Sequence, residues 1–422
     1  MVISFDSGTT NTKAFLFSDN ARLIASASHP TKIFYRGPGI VEQDAEDWWQ
    51  ALCRAAEKLY EAHKWRKNDI EAIGISSQGG TFALLGGDLK PLAPAITWLD
   101  NRGASMAKKM SSEKSRNYFY SRTGHEIKGW SPPAVCRWFR KNEPAAAAET
   151  GRISFVADYL NYRLTDTFFI DPTSAQMSCL YNIRKNAWDK EILKAARIGE
   201  ASLPLLLASN STGGKTTKKS AGLLNIREGT PVVAGGHDQY CASLGADAGK
   251  KGDCLLSCGT SWVLLLTADR LVFIPGSGWT PGRYIQENRF GLMAAIGNAG
   301  IILEWMRNNI RIGKKRGDIK TGVVVIPDFS IQKGTIKNIS LATGGNEIYY
   351  AAMESLIMKI KKRLDEVESV SPVKRLFMVG GATKERFLPE MVEKITGKEL
   401  VMPEVTEAAG RGAALLALNR NG

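Results

Sequence analysis

Several features are missing from this chain of 422 residues, and each absence excludes a class of protein. No apolar run reaches the roughly 20 residues that a membrane-spanning helix needs, so a membrane protein is not expected. The chain starts without a secretory signal pattern, which makes the cytoplasm the expected location. The six cysteines contain no C-x-x-C pair, and only four histidines are present, which argues against a structural zinc site. Free thiols in a reducing compartment are therefore expected.

Acidic residues are also few relative to basic ones, and the formal net charge is +14. A strongly basic chain raises the possibility of nucleic-acid binding. The basic residues are scattered, however, and form neither a basic arm nor a ladder interleaved with aromatic residues. We interpret most of this charge as solvated surface, which equally suits small anionic ligands. The length predicts two or three domains, and an apolar content of 44% is typical of a globular protein.

The order of predicted elements occurs twice along the chain. In the first half, strands at 2–6 and 13–17 enclose a Gly-Thr turn, and a helix over 44–64 leads into a strand at 70–77. In the second half, the same order recurs as DCLLSCGTSWVLLLTADRL from residue 253, a helix over 347–368 and the strand KRLFMVGGAT. This duplication predicts an α/β protein of two domains, 1–232 and 233–422, with a cleft between them.

The stretch DSGTTNTK at 6–13 admits two interpretations. Asp, Ser and Gly are common in hairpin turns, so a simple turn is one of them. The other is a phosphate cradle, in which small residues let backbone N–H groups approach an anion. In that case Asp6 could hold Mg²⁺, and Lys13 could reach a phosphoryl group during its transfer.

Two further motifs carry candidate polar side chains. In GTPVVAGGHDQ, Asp238 follows a strand and a Gly pair, where it could act as a general base; the alternative is an N-cap of the next helix. In WLDNR, Asp100 and Arg102 could bind sugar hydroxyls, or they could form a surface ion pair. The segment STGGKTTKKS at 211–220 lacks the first glycine of a Walker A loop and is predicted to be an exposed loop.

Together these motifs closely resemble the FGGY carbohydrate kinases. The resemblance rests on DSGTTNTK, WLDNR, VADYLNYRLTD, DPTSAQMSCLYNIRKNAWD, GTPVVAGGHDQ, CGTS, GGATKERFLPEM and VMPEVTEAAGRGAALLAL, which occur in that order from residue 1 to about 418. It implies two domains of the ribonuclease-H/actin-like type that close over a sugar and ATP. The N-terminal domain would bind the sugar and the C-terminal domain the nucleotide. It also implies no nucleic-acid or membrane partner, and a monomer or homodimer.

The resemblance implies a role for each matching position. Asp238 would be the catalytic base, and Asp6 and Asp238 would organise Mg²⁺. The substrate contacts would lie after two predicted strands and directly after the base Asp238. They would be Gln78, Gly79, Gly80, Asp100, Arg102 and Gln239. ATP contacts would come from two Gly-Thr turns and later positions: Thr9, Thr10, Lys13, Gly259, Thr260, Gly300, Glu304, Gly381 and Glu385.

The chain departs from the family pattern in ways that bear on its substrate. Glycerol kinases carry Arg-Glu and bacterial xylulokinases Met-His at the positions of Gly79 and Gly80, so glycerol is not expected and a bulkier substrate would have room. The sequence HD at 237–238 is similar to that of the fuculokinases. A ketose of pentulose size is the leading expectation, and a polyol or deoxyketose kinase is the alternative. A catalytically silent sugar or nucleotide sensor is a third possibility, although such a protein would not need both Asp6 and Asp238.

Overall fold

The computed structural model describes residues 1–313, 321–327, 334–385 and 387–421. It divides into two compact units. Unit 1 comprises residues 1–245, 281–290 and 407–422, and unit 2 comprises residues 246–280 and 291–406.

Within the described residues the β-structure is spread over many short strands. In chain order they are β1 Val2–Ser7, β2 Asn11–Phe17, β3 Leu23–Pro30, β4 Phe34–Gly37, β5 Ile40–Gln43, β6 Ala72–Ser77, β7 Phe82–Leu85, β8 Ala95–Ile96, β9 Arg152–Phe155, β10 Phe169–Ile170, β11 Tyr181–Asn182, β12 Ala187–Trp188, β13 Leu205–Leu206, β14 Thr212–Lys215, β15 Pro231–Val233, β16 Gly236–His237, β17 Asp253–Cys258, β18 Trp262–Ala268, β19 Thr280–Arg283, β20 Phe290–Gly297, β21 Val324–Ile326, β22 Thr335–Lys337, β23 Arg375–Val379 and β24 Glu399–Val401.

The helices in the same ranges are mostly of two to four turns. They are α1 Ala45–Ala62, α2 Ala104–Lys114, α3 Arg116–Thr123, α4 Pro132–Asn142, α5 Pro144–Glu149, α6 Val156–Thr165, α7 Pro172–Ala175, α8 Lys190–Ala196, α9 Lys218–Leu224, α10 Asp238–Gly245, α11 Ala299–Asn309, α12 Gly345–Glu368, α13 Leu388–Thr396 and α14 Ala408–Leu418. In the part of the chain that the structure describes, we find no helix with the length and apolar character needed to cross a bilayer.

The units differ from the predicted domains 1–232 and 233–422, because α10 and the C-terminal α14 both belong to unit 1. These two helices pack closely through glycines. A Cβ on Gly245 would lie 1.9 Å from the carbonyl oxygen of Ala408, and one on Gly412 would lie 1.9 Å from that of Cys241. The contact between α10 and α14 could not be predicted from local sequence, because the two helices are far apart along the chain.

The central sheet of unit 1 has the strand order β14-β15-β6-β1-β2-β3, and β16 also pairs with β6. Strands β1 and β2 are antiparallel, whereas β1 and β6 are parallel. The hairpin interpretation of residues 6–13 is thus confirmed geometrically, and the turn lies at the carboxyl end of β1. Helix α1 begins after Asp44, whose side chain accepts a hydrogen bond from the Glu46 N–H. Its apolar face packs against β2 and β3 and buries Trp48 and Leu52.

The sheet of unit 2 contains the order β20-β18-β17-β23-β24. Here β17 and β18 are antiparallel, and β17 and β23 are parallel. This repeats the arrangement of β1, β2 and β6, so the predicted duplication is confirmed. Each unit has its own apolar core, with residues such as Phe5 and Trp48 in unit 1 and Trp262 and Leu356 in unit 2.

Residues 211–220, predicted to be a loop, form the edge strand β14 and the start of α9 instead. Strand β14 pairs antiparallel with β15. Gly213 lies against the ring of Phe169, where a Cβ would be 2.3 Å from the nearest ring carbon. Close packing against a residue distant in sequence therefore overrides the loop-like composition.

Candidate active site

Two acidic side chains of unit 1 lie at the same edge of its central sheet. Asp6 is near the end of β1, and its register partner on the parallel strand β6 is Ser76. Ser76 in turn faces Gly236 of β16, and Asp238 follows this strand directly. The carboxyl ends of neighbouring parallel strands meet at one edge, where sites of α/β proteins form. The sheet therefore brings Asp6 and Asp238 together.

Both carboxyl groups lie where ionisation is costly. Burial raises the pKa of Asp6 to about 7, and the charge of Asp238 contributes in the same direction. Burial also raises the pKa of Asp238 to about 6, although the backbone N–H of Gln239 opposes this by donating a 2.6 Å hydrogen bond to its Oδ1. Ser76 Oγ donates to Asp6 Oδ1 at 2.8 Å. A carboxyl group that is mostly ionised at pH 7 yet readily protonated can serve as a general base.

The candidate phosphate turn is held by a hydrogen-bond network. Thr9 Oγ1 donates to Gln78 Oε1 at 2.9 Å and accepts from Trp98 Nε1 at 3.0 Å. Gln78 Nε2 donates to Gln43 Oε1 at 3.0 Å, and Thr81 Oγ1 donates to Gln78 Oε1 at 3.2 Å. The hydroxyl proton of Thr9 and the amide of Gln78 are thus used within the protein. Both side chains position the turn, and direct ligand contacts from them would require this network to break.

Two other residues of the turn are more accessible. Thr10 is exposed, and Lys13 is partly exposed. Lys13 Nζ lies 2.8 Å from Oε2 and 3.1 Å from Oε1 of Glu407, the residue directly before α14. Glu407 is a charged group near the turn that the sequence motifs did not single out, because it lies 394 residues from Lys13.

The space beside Gly79 and Gly80 is filled, contrary to the expected room for a bulkier substrate. A Cβ on Gly79 would lie 2.5 Å from His237 Cδ2 and 2.6 Å from Met177 Cγ. Gly80 has a φ of +75°, and its Cβ would lie 3.0 Å from the ring of Trp130. The space that the Arg-Glu or Met-His side chains would occupy is therefore filled by His237, Met177 and Trp130.

Asp100 and Arg102 are brought together, but in a buried cluster. Arg102 Nη2 donates to Asp100 Oδ2 at 2.9 Å and to Glu42 Oε1 at 2.7 Å, and its side chain is 7% exposed. Asp100 also accepts a 2.9 Å hydrogen bond from the backbone N–H of Val41. The alternative to sugar binding was an ion pair on the surface; an ion pair is present, but it is buried. The side chains hold β5 against the segment after β8.

An open pocket of about 870 Å³ lies on unit 1 beside this cluster. Its lining includes the indoles of Trp98 and Trp130 together with Asn101, Glu126 and Lys128. Aromatic faces and a small number of polar groups are the usual lining of a site for a small molecule. Trp98 belongs both to this lining and, through its N–H, to the Thr9 network. The aromatic residues were not predicted as site residues.

The residues around Asp238 include His237 and Gln239 of the GGHDQ motif, together with Asp171 and Thr173, which were not predicted as site residues. His237 Nε2 lies 3.3 Å from Asp238 Oδ1, and burial lowers the pKa of His237 to about 4, so its imidazole is neutral at pH 7. The backbone N–H of His237 donates to Thr173 Oγ1 at 2.9 Å, and the Thr173 hydroxyl donates to buried Asp171. Gln239 is partly buried, and its Oε1 has no hydrogen-bond partner among the residues that the structure describes.

In unit 2, three predicted nucleotide positions lie together around the turn after β17. The N–H of Gly300 donates to the Thr260 carbonyl at 3.1 Å, and a Cβ on Gly300 would lie 2.1 Å from the Gly259 oxygen. On the other side, a Cβ on Gly380 would lie 2.7 Å from the Cys258 carbonyl. This close packing places Gly259, Thr260, Gly300 and the Gly380–Gly381 pair in one region.

The two glutamates predicted for this region differ in their surroundings. Glu304 is exposed on α11, whereas Glu385 is partly buried and paired with Arg307 of the same helix. Exposed Gly381 follows β23, next to the carboxyl end of β17.

The described side chains contain no group of three or more His, Cys, Asp or Glu that is arranged to hold a metal ion. The predicted Mg²⁺ ligands Asp6 and Asp238 are only two. Mg²⁺ usually keeps several water molecules and binds one or two carboxylates together with substrate phosphates. The carboxylates of Asp6 and Asp238 fit such an ion, because Mg²⁺ prefers oxygen ligands and its positive charge would offset the repulsion that Asp238 exerts on Asp6.

The fold defines a class: an α/β protein of two compact units with a duplicated strand–turn–strand core. Two family models match the chain: the N-terminal domain of the FGGY family of carbohydrate kinases over residues 1–245, and its C-terminal domain over 254–419. The chain therefore belongs to the FGGY family of carbohydrate kinases.

Individual relatives extend over nearly the whole chain. It is 28% identical to a glycerol kinase of Thermococcus kodakarensis over 440 residues, which cover 99% of this chain and 87% of that protein. It is 25% identical to a gluconokinase of Bacillus licheniformis, over 100% of this chain and 88% of that protein. The fold matches a ligand-bound xylulose kinase from Lactobacillus acidophilus with a TM-score of 0.88 and 20% identity, over 99% of this chain and 88% of that one.

Proposed function

We propose that this protein transfers the γ-phosphoryl group of ATP to a hydroxyl of a small sugar, with Asp238 as the general base. The observation that carries the proposal is the pair of carboxyl groups, Asp6 and Asp238, with pKa values raised to about 7 and 6 at the edge of the unit 1 sheet. Acid–base sites characteristically hold carboxyl groups in surroundings that shift their pKa values.

In the proposed mechanism, Asp238 accepts the proton of the sugar hydroxyl as that oxygen attacks the γ-phosphorus, and the bond from the γ-phosphorus to the β-γ bridging oxygen breaks to release ADP. The neutral imidazole of His237 lies against the carboxylate and limits the directions that it can take. Asp6 and Asp238 would hold Mg²⁺, which neutralises charge on the phosphates when bound. Lys13 contributes a further positive charge at the turn, since phosphoryl transfer depends chiefly on positioning and charge neutralisation.

We further propose that the sugar occupies the pocket lined by Trp98 and Trp130. Stacking of apolar sugar faces on indoles, with polar groups at the rim, would orient the hydroxyl. A ketose of pentulose size remains our proposal. Because Met177, His237 and Trp130 fill the space beside Gly79 and Gly80, this region sets an upper limit on substrate size rather than providing extra room.

For the nucleotide, we propose that the Gly259–Thr260 turn and the segment after β23 in unit 2 provide the main contacts. The exposed glycine backbone at 259 and 381 leaves space for a phosphate or a planar base. Glu304 and Glu385 are proposed contacts of the ribose or base. The free state of all six cysteines is in keeping with a reducing compartment, and we propose a cytoplasmic enzyme.

An assay of ADP release over ketoses, aldoses, polyols and gluconate tests the function. We expect one or more pentulose-sized ketoses to stimulate turnover. In Asp238→Asn the rate should fall by about two orders of magnitude or more, since general-base catalysis contributes roughly 10²–10⁴-fold. The variant Asp166→Asn, which alters an exposed carboxylate elsewhere in unit 1, serves as the matched control.

The outcomes separate the proposals. If gluconate or glycerol supports turnover and ketoses do not, the proposed substrate is wrong but the proposed mechanism still holds. If no sugar stimulates ADP release, the protein is a sensor rather than a kinase. Equal rates for Asp238→Asn and the parent would show that Asp238 is not the base.

A further inference from the structure

The ion pair between Lys13 and Glu407 is unexpected, because Lys13 has a carboxylate much closer along the sheet. Asp6 and Lys13 are register partners in the antiparallel pair β1–β2. Directly opposite residues in such a pair point to the same face, with Cβ atoms about 4.5–5.5 Å apart, and opposite charges at these positions attract each other. An Asp6–Lys13 ion pair is therefore the default expectation from local geometry.

The structure has a different pairing. Both carboxylate oxygens of Glu407 lie within 3.1 Å of Lys13 Nζ. Asp6 Oδ1 instead accepts its hydrogen bond from Ser76 Oγ. Among the ion pairs of the described residues, Lys13 is joined to Glu407 and not to Asp6.

Glu407 is well placed to hold Lys13 away from Asp6, because its backbone is anchored. It directly precedes α14, which packs against β1, β6 and α10. Ser4 Oγ donates to the Gly410 carbonyl at 2.8 Å, and Arg411 Nη1 donates to the Gly245 carbonyl at 2.5 Å. The lysine stem is flexible, whereas the start of this helix is fixed to the sheet.

Stability does not explain the pair. The side chains of Lys13 and Glu407 are 41% and 30% exposed. Ion pairs as exposed as this contribute only about 0–1 kcal/mol. An interaction between residues near opposite ends of the chain that adds so little stability suggests a role in positioning.

We propose that Glu407 is a positioning residue that separates Lys13 from Asp6. The separation leaves the Asp6 carboxylate able to bind a divalent cation and keeps the partly exposed Lys13 ammonium beside the turn, where an N–H that does not bond to Glu407 can meet a phosphate. Without Glu407, the two groups neutralise each other across the hairpin. This inference rests on the proposed function, since it assumes that Lys13 meets a phosphate of ATP.

The test is a double-mutant cycle of Glu407→Gln and Lys13→Met, with MgATP binding measured by calorimetry in the absence of sugar. Glu407→Gln should weaken MgATP binding by roughly tenfold, equivalent to about 1.4 kcal/mol, which is within the usual range for coupled neighbours. In the Lys13→Met background it should have no further effect, because no ammonium remains to be displaced. Glu407→Asp keeps the charge and should restore part of the affinity.

A merely structural role predicts a different result. If Glu407 were only structural, Glu407→Gln would lower the melting temperature and would weaken MgATP binding equally in the parent and in the Lys13→Met variant. Glu404→Gln, which removes an exposed charge three residues earlier, controls for net charge and should bind MgATP as the parent does.

The two proposals fail in distinguishable ways. If Lys13→Met binds MgATP as tightly as the parent, the proposed phosphate role of Lys13 is wrong. If Lys13→Met weakens binding but Glu407→Gln does not, only the separating role of Glu407 is overturned. A Glu407→Gln variant that binds MgATP more tightly than the parent would also overturn it, since Glu407 would then be a competitor of the phosphates.

Discussion

The raised pKa of Asp6 predicts that removing its charge stabilises the protein more at alkaline pH than at acidic pH. In the folded protein the pKa is about 7, compared with an ordinary value of 3.8. Between these values the native state holds a proton that the unfolded chain has already lost. The free energy of unfolding therefore falls as the pH rises from about 4 to about 7.

The magnitude follows from the shift. About three pKa units at roughly 1.36 kcal/mol each give a ceiling of about 4 kcal/mol. Because Asp6 is only partly buried, solvent reduces this, and we expect about 2 kcal/mol. Asp6→Asn keeps an oxygen that can accept from Ser76 and carries no charge. It should therefore be about 2 kcal/mol more stable than the parent at pH 8, and this difference should shrink to about 1 kcal/mol at pH 4.5, where the unfolded carboxyl is already mostly ionised.

Urea denaturation in EDTA at pH 4.5, 6, 7 and 8, followed by circular dichroism, measures the effect. Burial also raises the pKa of Asp158 to about 7, so the parent's pH dependence has more than one source. Only the difference between Asp6→Asn and the parent isolates Asp6, and Asp166→Asn is the control for an exposed carboxylate. If the stability curves of Asp6→Asn and the parent are parallel from pH 4.5 to 8, the ionised form of Asp6 is not destabilised and the reasoning is refuted.

Two further substitutions test the surroundings of the site. Gly79→Ala places a Cβ 2.5 Å from His237 and should lower kcat by about tenfold or more, because the displaced imidazole shifts the neighbouring base Asp238. Gly87→Ala is the control, since its Cβ has no atom within 4 Å, and it should leave kcat unchanged. Equal kcat values for the two variants would show that a shift of His237 does not affect catalysis. Arg102→Met leaves Asp100 buried without its partner and should destabilise the protein by about 3 kcal/mol in urea denaturation. Arg54→Met, at an exposed pair, should cost less than about 1 kcal/mol, and similar costs for both would contradict the structural role of Arg102.

The duplicated strand–turn–strand core could be predicted because its signals are local. Alternating and continuous apolar runs, Gly-Thr turns and the periodic apolar positions of α1 all lie within short windows. The limits of the units could not be predicted in the same way. Helix α14 joins unit 1 through glycine contacts with α10, which lies some 160 residues earlier, and no window of sequence contains both.

The candidate site was predictable in part for the same reason. Asp6 lies at the end of a strand and Asp238 directly follows one, so the meeting of strand ends at one sheet edge brings them together. Their neighbours depend on tertiary contacts. The sequence alone does not indicate that Thr9 and Gln78 bond to each other, or that Lys13 pairs with Glu407 instead of its cross-strand neighbour Asp6.

Gly79 and Gly80 show why an absent side chain is a poor guide to substrate size. Glycine removes atoms from its own position, but packing in protein interiors leaves few voids, and neighbouring side chains tend to occupy the space. Here Met177, His237 and Trp130 come from three other segments and fill it. The glycines therefore permit the imidazole of His237 to lie beside Asp238, and any preference for a particular sugar would come from those three side chains rather than from an enlarged pocket.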